Sequence, residues 1–325
     1  MPRSHGPKSV LLAGTPRCGS TWLANVLGRA ADTRSVYEPD GPISDILGAM
    51  VATRLGPYPV LGAGDRSGWY RVVWDLAFSG GWPWDRVEAA RAAGRRLVKV
   101  PPILRDTAIA GLAEGTAHLR RRQDHVIVKS VNSAFSLEWI AAHYAPKIVV
   151  IRRNPLNVVS SWLVLDMANK WPIPDHPYLR ATYLDPLGLT PPPAGSSPVA
   201  DVAWNVGLLM ASLKRTAEHH PEWVQVSYDE LSADPLPRCR ALFDQLGLEW
   251  TDDAAAYIEK ADDPSFVVHG GNPRAHPNAV TATEMTNRRA QQSSQFKRRL
   301  TEEQIIEAHA ILEGFQLGKW GPDPL

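Results

Sequence analysis

Cysteine is nearly absent from this chain of 325 residues: Cys18 and Cys239 are the only two. They are too few and too far apart for a disulfide framework or a cysteine-rich zinc site, so both are expected as reduced thiols. An excess of one charge is missing as well. Thirty-five Lys and Arg stand against 34 Asp and Glu, a net charge of +1, which argues against a chain that coats nucleic acid through its overall charge. Any anion site must be local. No segment approaches the ~18 consecutive apolar residues of a membrane span. The start, MPRSHGPKSVLLAG, has a basic flank but only four apolar residues in a row before Gly14, so the expected location is cytoplasmic. Ten histidines show no metal-like spacing, and no metal is expected. What is present is ordinary globular usage, 44% hydrophobic and 21% charged, which excludes disordered, collagen-like and coiled-coil chains. The length allows one large α/β domain or two small ones. Twelve Trp are many; they suit either the core or a flat surface for a sugar, aryl or lipid substrate.

Periodicity orders the chain. Ser9–Ala13 is a short apolar run, followed by the turn GTPRCGST (14–21) and by Trp22, Leu23, Val26, Leu27 and Ala30 at helical spacing, which predicts strand, loop, helix. HVIVK (125–129) and KIVVI (147–151) predict two more strands, the second a β-branched run of the kind buried on both faces of a parallel sheet. Asn154 with Pro155 predicts a helix start, and Asp234 with Pro235 repeats the signal, with Gly247 as the stop. WVQVSY (223–228) predicts another strand, and the box Thr301–Gln304 opens a last helix ending near Gly314. The Pro- and Gly-rich stretch 171–198 is expected as a long loop or lid rather than a core element. Strands alternating with helices predict a single domain over 1–325, with a central parallel sheet flanked by helices.

The loop GTPRCGST sits between strand and helix, where backbone N–H groups and the positive helix end bind phosphate. A nucleoside triphosphate enzyme reads G-x-x-x-x-G-K-[ST] there; here Ser20 stands at the Lys position and Arg17 is the loop's only cation. The pattern favours a metal-free donor over ATP with Mg²⁺.

With TPRCGSTWL the sequence resembles the PAPS-dependent sulfotransferase family, whose donor is 3′-phosphoadenosine 5′-phosphosulfate (PAPS) and whose fold is similar to that of P-loop NTPases. A second match is RRNPLNVVSSWL (152–163), which looks like the family's 3′-phosphate motif, with Arg153 and Ser161 eight residues apart. The resemblance implies donor contacts from Arg17, Cys18, Gly19, Ser20, Thr21, Trp22, Arg153 and Ser161. SYDEL (227–231) resembles the family's Tyr-acid stretch at a strand end and adds Tyr228. The run 288–299 carries five positive residues and no negative one; it resembles the late loop that closes over the 3′-phosphate and points to Arg289, although the Gly that usually follows the basic pair is missing.

Sulfuryl transfer is an in-line displacement that needs a cation beside the leaving phosphate and a base beside the acceptor hydroxyl. Arg17 is the expected cation. In the family's cytosolic branch a His at the end of the preceding strand is the base, but here Val131 occupies that position. The tyrosylprotein branch uses a Glu after the first helix; SVYEPD places Glu38 there, 21 residues after Arg17, and Glu38 is the expected base. Lys129 is expected to assist at the sulfuryl oxygens, with Lys99 in LVKVPP as a rival. The expected activity is sulfuryl transfer from PAPS, leaving PAP, to a hydroxyl of a small-molecule, sugar or lipid acceptor. The segments 40–95, with Trp69, Tyr70, Trp74, Trp82 and Trp84, and 171–198 are expected to cover it. Two rivals are a P-loop kinase of a small molecule and a non-catalytic nucleotide-binding protein.

Overall fold

The structure is a computed structural model, and it describes residues 8–81, 102–119, 125–170, 172–261 and 294–318. Five strands form one sheet: β1 (Lys8–Gly14), β2 (Thr33–Tyr37), β3 (His125–Ser130), β4 (Lys147–Arg152) and β5 (Val224–Ser227), in the order β2-β3-β1-β4-β5. Every pairing is parallel. Parallel neighbours require crossovers, and these carry helices to both faces.

The alternation of the central strand shows which face is which. Leu11 and Ala13 of β1 pack with Val126, Val128, Ile148 and Val150 against helices Ile46–Leu55, Gly68–Phe78, Leu137–Tyr144, Pro155–Leu165 and Pro198–Glu218. Val10 and Leu12 pack with Ile127, Val149 and Ile151 against helices Ser20–Leu27, Pro235–Leu246 and Asp252–Lys260. A period of two with both faces apolar is what a strand buried on both sides requires.

Helix starts follow the sequence with one exception. Asn154 accepts a hydrogen bond from the Leu156 amide with Pro155 at the first helical position, and Thr301 and Gln304 form their reciprocal box. Gly247 ends its helix in the left-handed conformation, with φ of 66°. Asp234 precedes Pro235 as expected, but its side chain makes no capping bond.

Two expectations are corrected. The stretch 171–198 is not simply a loop: short helical turns run through Pro177–Leu179, Arg180–Leu184 and Asp185–Leu187, and Leu179, Tyr183 and Leu184 are buried in the core. Pro177 and Pro186 stand at the starts of turns, and between them Tyr183 packs beside Phe135. Tyr70 and Trp74, expected at an acceptor surface, are fully buried, stacked edge to face on helix Gly68–Phe78. Trp82 and Trp84 lie outside the described residues. Among the described residues no helix is long and apolar enough to cross a membrane.

Candidate active site

A parallel sheet delivers every strand's carboxyl end to one edge, and helix N-termini meet it there. At that edge stand Arg17 after β1, Glu38 after β2, Lys129 one residue before the end of β3, Arg153 after β4 and Tyr228 after β5. With strands about 4.8 Å apart, the row from β2 to β5 spans roughly 19 Å.

The loop after β1 is shaped by two glycines. A Cβ at Gly14 would lie 2.6 Å from the Cys18 sulfur, and one at Gly19 would run into the Tyr228 ring. Gly19 adopts φ of 92° and starts helix Ser20–Leu27 without a side-chain cap, and the start of a helix leaves first-turn amides to be met by a partner from elsewhere, as an anion can. Arg17 itself holds a left-handed φ of 74°, a costly conformation for a residue with a Cβ and one that recurs where function fixes the chain. It turns the guanidinium toward helix Pro155–Leu165, where its Nε donates to Ser161 Oγ at 2.9 Å.

Arg153 completes the cluster. Its Nη1 donates to the Arg17 carbonyl at 3.0 Å, and its guanidinium lies 4.9 Å from the centre of the Tyr228 ring. Tyr228 also meets Trp22 edge to face, with centroids 6.0 Å apart. Trp162 Nε1 donates to the Pro16 carbonyl at 3.1 Å, fastening the loop to the same helix. Behind this, the Asn154 amide donates to Asp229 Oδ2 at 2.8 Å, which ties the end of β4 to the helix after β5. The Arg17 guanidinium is lowered to about 10 by burial and by the charges of Arg153 and Arg299. It stays charged at neutral pH, and a like-charged neighbourhood of this kind is relieved by a bound anion.

Cys18 departs from expectation. Its thiol is buried in the core, where burial pushes its pKa up, and its amide donates to the Thr15 carbonyl at 3.2 Å. Both groups turn inward, so Cys18 shapes the loop rather than facing the edge. Arg289 and the rival Lys99 lie outside the described residues. Arg299, which the sequence reading did not single out, lies close enough to act on Arg17. Its short helix, Phe296–Arg299, is fixed by the Phe296 amide donating to Asn157 Oδ1 at 3.0 Å. The signal was the positive run 288–299, whose charge could not say which of its members reaches the site.

On the other side of β1 the structure joins Glu38 and Lys129 as an ion pair. The Val131 amide donates to the second Glu38 oxygen at 2.9 Å, and the Glu38 amide donates to the Lys129 carbonyl at 2.7 Å. The position where the cytosolic branch carries His thus contributes a backbone donor that holds the carboxylate. Both side chains are largely buried, 8% and 15% exposed for Lys129 and Glu38.

The sequence matches the family model of the sulfotransferase domain over residues 7–321. Among solved structures, the sulfotransferase domain from the curacin biosynthetic pathway is 13% identical, with 96% of this chain and 99% of that one covered and a TM-score of 0.55. The fold is therefore shared. The sulfotransferase domain from the Synechococcus PCC 7002 olefin synthase is 17% identical, covering 97% of each chain at a TM-score of 0.43. A mouse sulfotransferase complexed with PAP is 14% identical over 96% of this chain and 86% of that one, also at 0.43. A search of curated proteins finds no match.

Proposed function

The chain belongs to the sulfotransferase family, and from that premise we propose that it carries a sulfuryl group from PAPS to an acceptor hydroxyl, with residues 1–325 working as one domain. The observation that carries the choice of donor is the junction of Arg17, Ser161, Arg153 and Tyr228 at an uncapped helix start. One anionic group meets the amides after Gly19. A second meets Arg153 and Ser161, and the adenosine lies toward Tyr228. Such a site rewards a nucleotide with phosphates at both 5′ and 3′ positions, and Ser20 in place of Lys disfavours a triphosphate.

In the reaction, the S–O bond to the 5′-phosphate breaks as the acceptor oxygen bonds sulfur from the opposite side. Charge grows on the former bridging oxygen, and Arg17, already in the loop, stabilises it. Lys129 turns from Glu38 to the sulfuryl oxygens, and Glu38, released from its ion pair, takes the acceptor's proton. The neutral pair thus serves as a resting state that the donor's own charge opens. Glu38 lies two strands from the Arg17 loop, about 10 Å along the edge, and the acceptor fits between them. The family's hydroxyl acceptors leave its class open among small molecules, sugars and lipids.

The test is calorimetric titration with PAP and with AMP in the presence of EDTA. Hydrogen bonds to a charged group contribute about 1.5–3 kcal/mol, so PAP is expected to bind about ten-fold tighter or more. Equal affinities would overturn the donor assignment.

A further inference from the structure

Beneath the Glu38–Lys129 pair lies a second acid that this mechanism leaves unused. Asp40 is 1% exposed and sits in the tight turn closed by the Gly41 amide donating to the Glu38 carbonyl at 3.0 Å. A Cβ at Gly41 would come 2.8 Å from the Glu38 Cβ, so the turn holds Asp40 at a fixed place relative to Glu38. Ser130, the residue after Lys129, donates from Oγ to Asp40 Oδ1 at 2.7 Å. Tyr70, from helix Gly68–Phe78, donates to Oδ2 at 3.2 Å. The Tyr70 hydroxyl also meets Ser136 Oγ at 2.7 Å, which in turn reaches the Ser133 carbonyl at 3.3 Å. The Asn132 amide donates to Ser130 Oγ at 3.2 Å. Asp40 therefore grips the chain on both sides of the ion pair: the turn that carries Glu38 and the strand end that carries Lys129.

We propose that Asp40 is a positioning residue for sulfuryl transfer, holding Glu38 and Lys129 in register through Ser130 and the 38–41 turn and, when ionised, easing proton transfer to Glu38. The inference rests on the reading of Glu38 as the base. Burial raises the Asp40 carboxyl from 3.8 to about 7, the bond from Ser130 opposes this, and the Glu38 charge adds to it. An ionised Asp40 lies beside the carboxylate that takes the acceptor's proton, so the transfer relieves the repulsion between the two acids. Among the described residues, the charged and titratable groups acting on it are Glu38 in its own turn and Tyr70 from the helix packed behind it. The hydroxyl chain accepts either state. With Asp40 ionised, Ser130 and Tyr70 both donate to it and Ser136 donates to Tyr70. With Asp40 protonated, it donates to Tyr70, Tyr70 to Ser136, and Ser136 to the Ser133 carbonyl. The proton itself is exchanged with water.

The test compares turnover against pH for the wild type, Asp40→Asn, Ser130→Ala and Glu38→Gln, using radiolabelled PAPS with water and with a naphthol as acceptors. Asp40→Asn keeps both hydrogen bonds but fixes the neutral state. Its turnover is expected to match the wild type near pH 6 and to fall about ten-fold below it near pH 8, with the KM for PAPS unchanged. Ser130→Ala removes a bond that favours ionisation, so its rising limb is expected to move to higher pH. Superimposable profiles for the wild type and both variants, with Glu38→Gln impaired, would overturn the role of Asp40 alone. Glu38→Gln at wild-type turnover would instead overturn the base reading on which it rests. Infrared titration supplies a readout apart from activity: a protonated-carboxyl band lost near neutral pH, and absent in Asp40→Asn, supports the inference, whereas its absence in the wild type overturns it.

Discussion

The two halves of the sheet's carboxyl edge are built on opposite electrostatic plans. Around β1, β4 and β5 the chain gathers Arg17, Arg153 and Arg299, and burial and mutual repulsion lower Arg17. Around β2 and β3 it gathers Glu38, Asp40 and Lys129, and here charges are paired or held among hydroxyls. The first half is held ready for an anion from elsewhere; the second neutralises itself until something competes for Lys129. Desolvated like charges are costly without a ligand, whereas a buried pair is costly only when one partner is removed. The difference suits a two-substrate reaction: a highly charged donor needs a standing field, while a neutral hydroxyl needs a base that is exposed late.

The largest break in the comparison comes from the self-neutralised half. Glu38→Gln keeps the shape but takes no proton, and it leaves Lys129 without its countercharge. Turnover is expected to fall roughly 10²–10⁴-fold while PAP affinity, set on the other half, stays near wild type. Steady-state rates beside calorimetry check this, and the loss should shrink for an acceptor acidic enough to ionise unaided, such as a nitrophenol. A matching fall in PAP affinity would show that the two halves are not separable.

Within the cationic half, Arg17 and Arg153 divide the work. Arg17→Ala is expected to lower turnover roughly 10²–10³-fold, as removal of a charge stabiliser in the transition state does, with a smaller effect on donor binding. Arg153→Ala is expected to weaken PAP about ten-fold or more and leave turnover at saturating donor less affected. The reverse pattern would place the leaving-group contact on Arg153.

Legibility in the sequence followed the same divide. The donor half is written in local patterns: an apolar run, a Gly-bearing turn, Arg153 and Ser161 at fixed spacing on a helix begun by Asn154 and Pro155. Local chemistry determines such features, and the structure carries them as β1, β4 and the helices that follow. The acceptor half depends on contacts between distant segments. β2, TRSVY, is an edge strand with every residue only half-buried, so it needs no apolar run and announces none. Asp40 reads as a loop acid, and only the approach of Ser130 and Tyr70 from 90 and 30 residues away makes it a buried one. Tyr70 and Trp74 sit at helical spacing that would serve a pocket or a core equally well, and packing chose the core. Cys18 lies within a phosphate-loop motif, yet the turn onto Thr15 points it inward.

The smallest expected effect sharpens the comparison most finely, because it sets a cap at the site against one far from it. Asn154 and Thr301 perform the same local task, each accepting a first-turn amide, at 2.9 Å from Leu156 and 3.3 Å from Gln304. Replacing either by Ala is expected to cost about 1 kcal/mol, read as a Tm lower by about 2 °C. The two should then part company. The helix that Asn154 starts carries Ser161 to Arg17, and the Asn154 amide is bound by Asp229 beside Arg153, so a frayed start there loosens both arginines. Asn154→Ala is expected to weaken PAP a few-fold beyond its stability loss, while Thr301→Ala leaves PAP affinity unchanged; thermal melts and titrations on the two variants check this. Equal donor affinities would mean that the cationic half is held by its own loop contacts, with Trp162 on Pro16 and Arg153 on Arg17 sufficient and the helix start only a local economy.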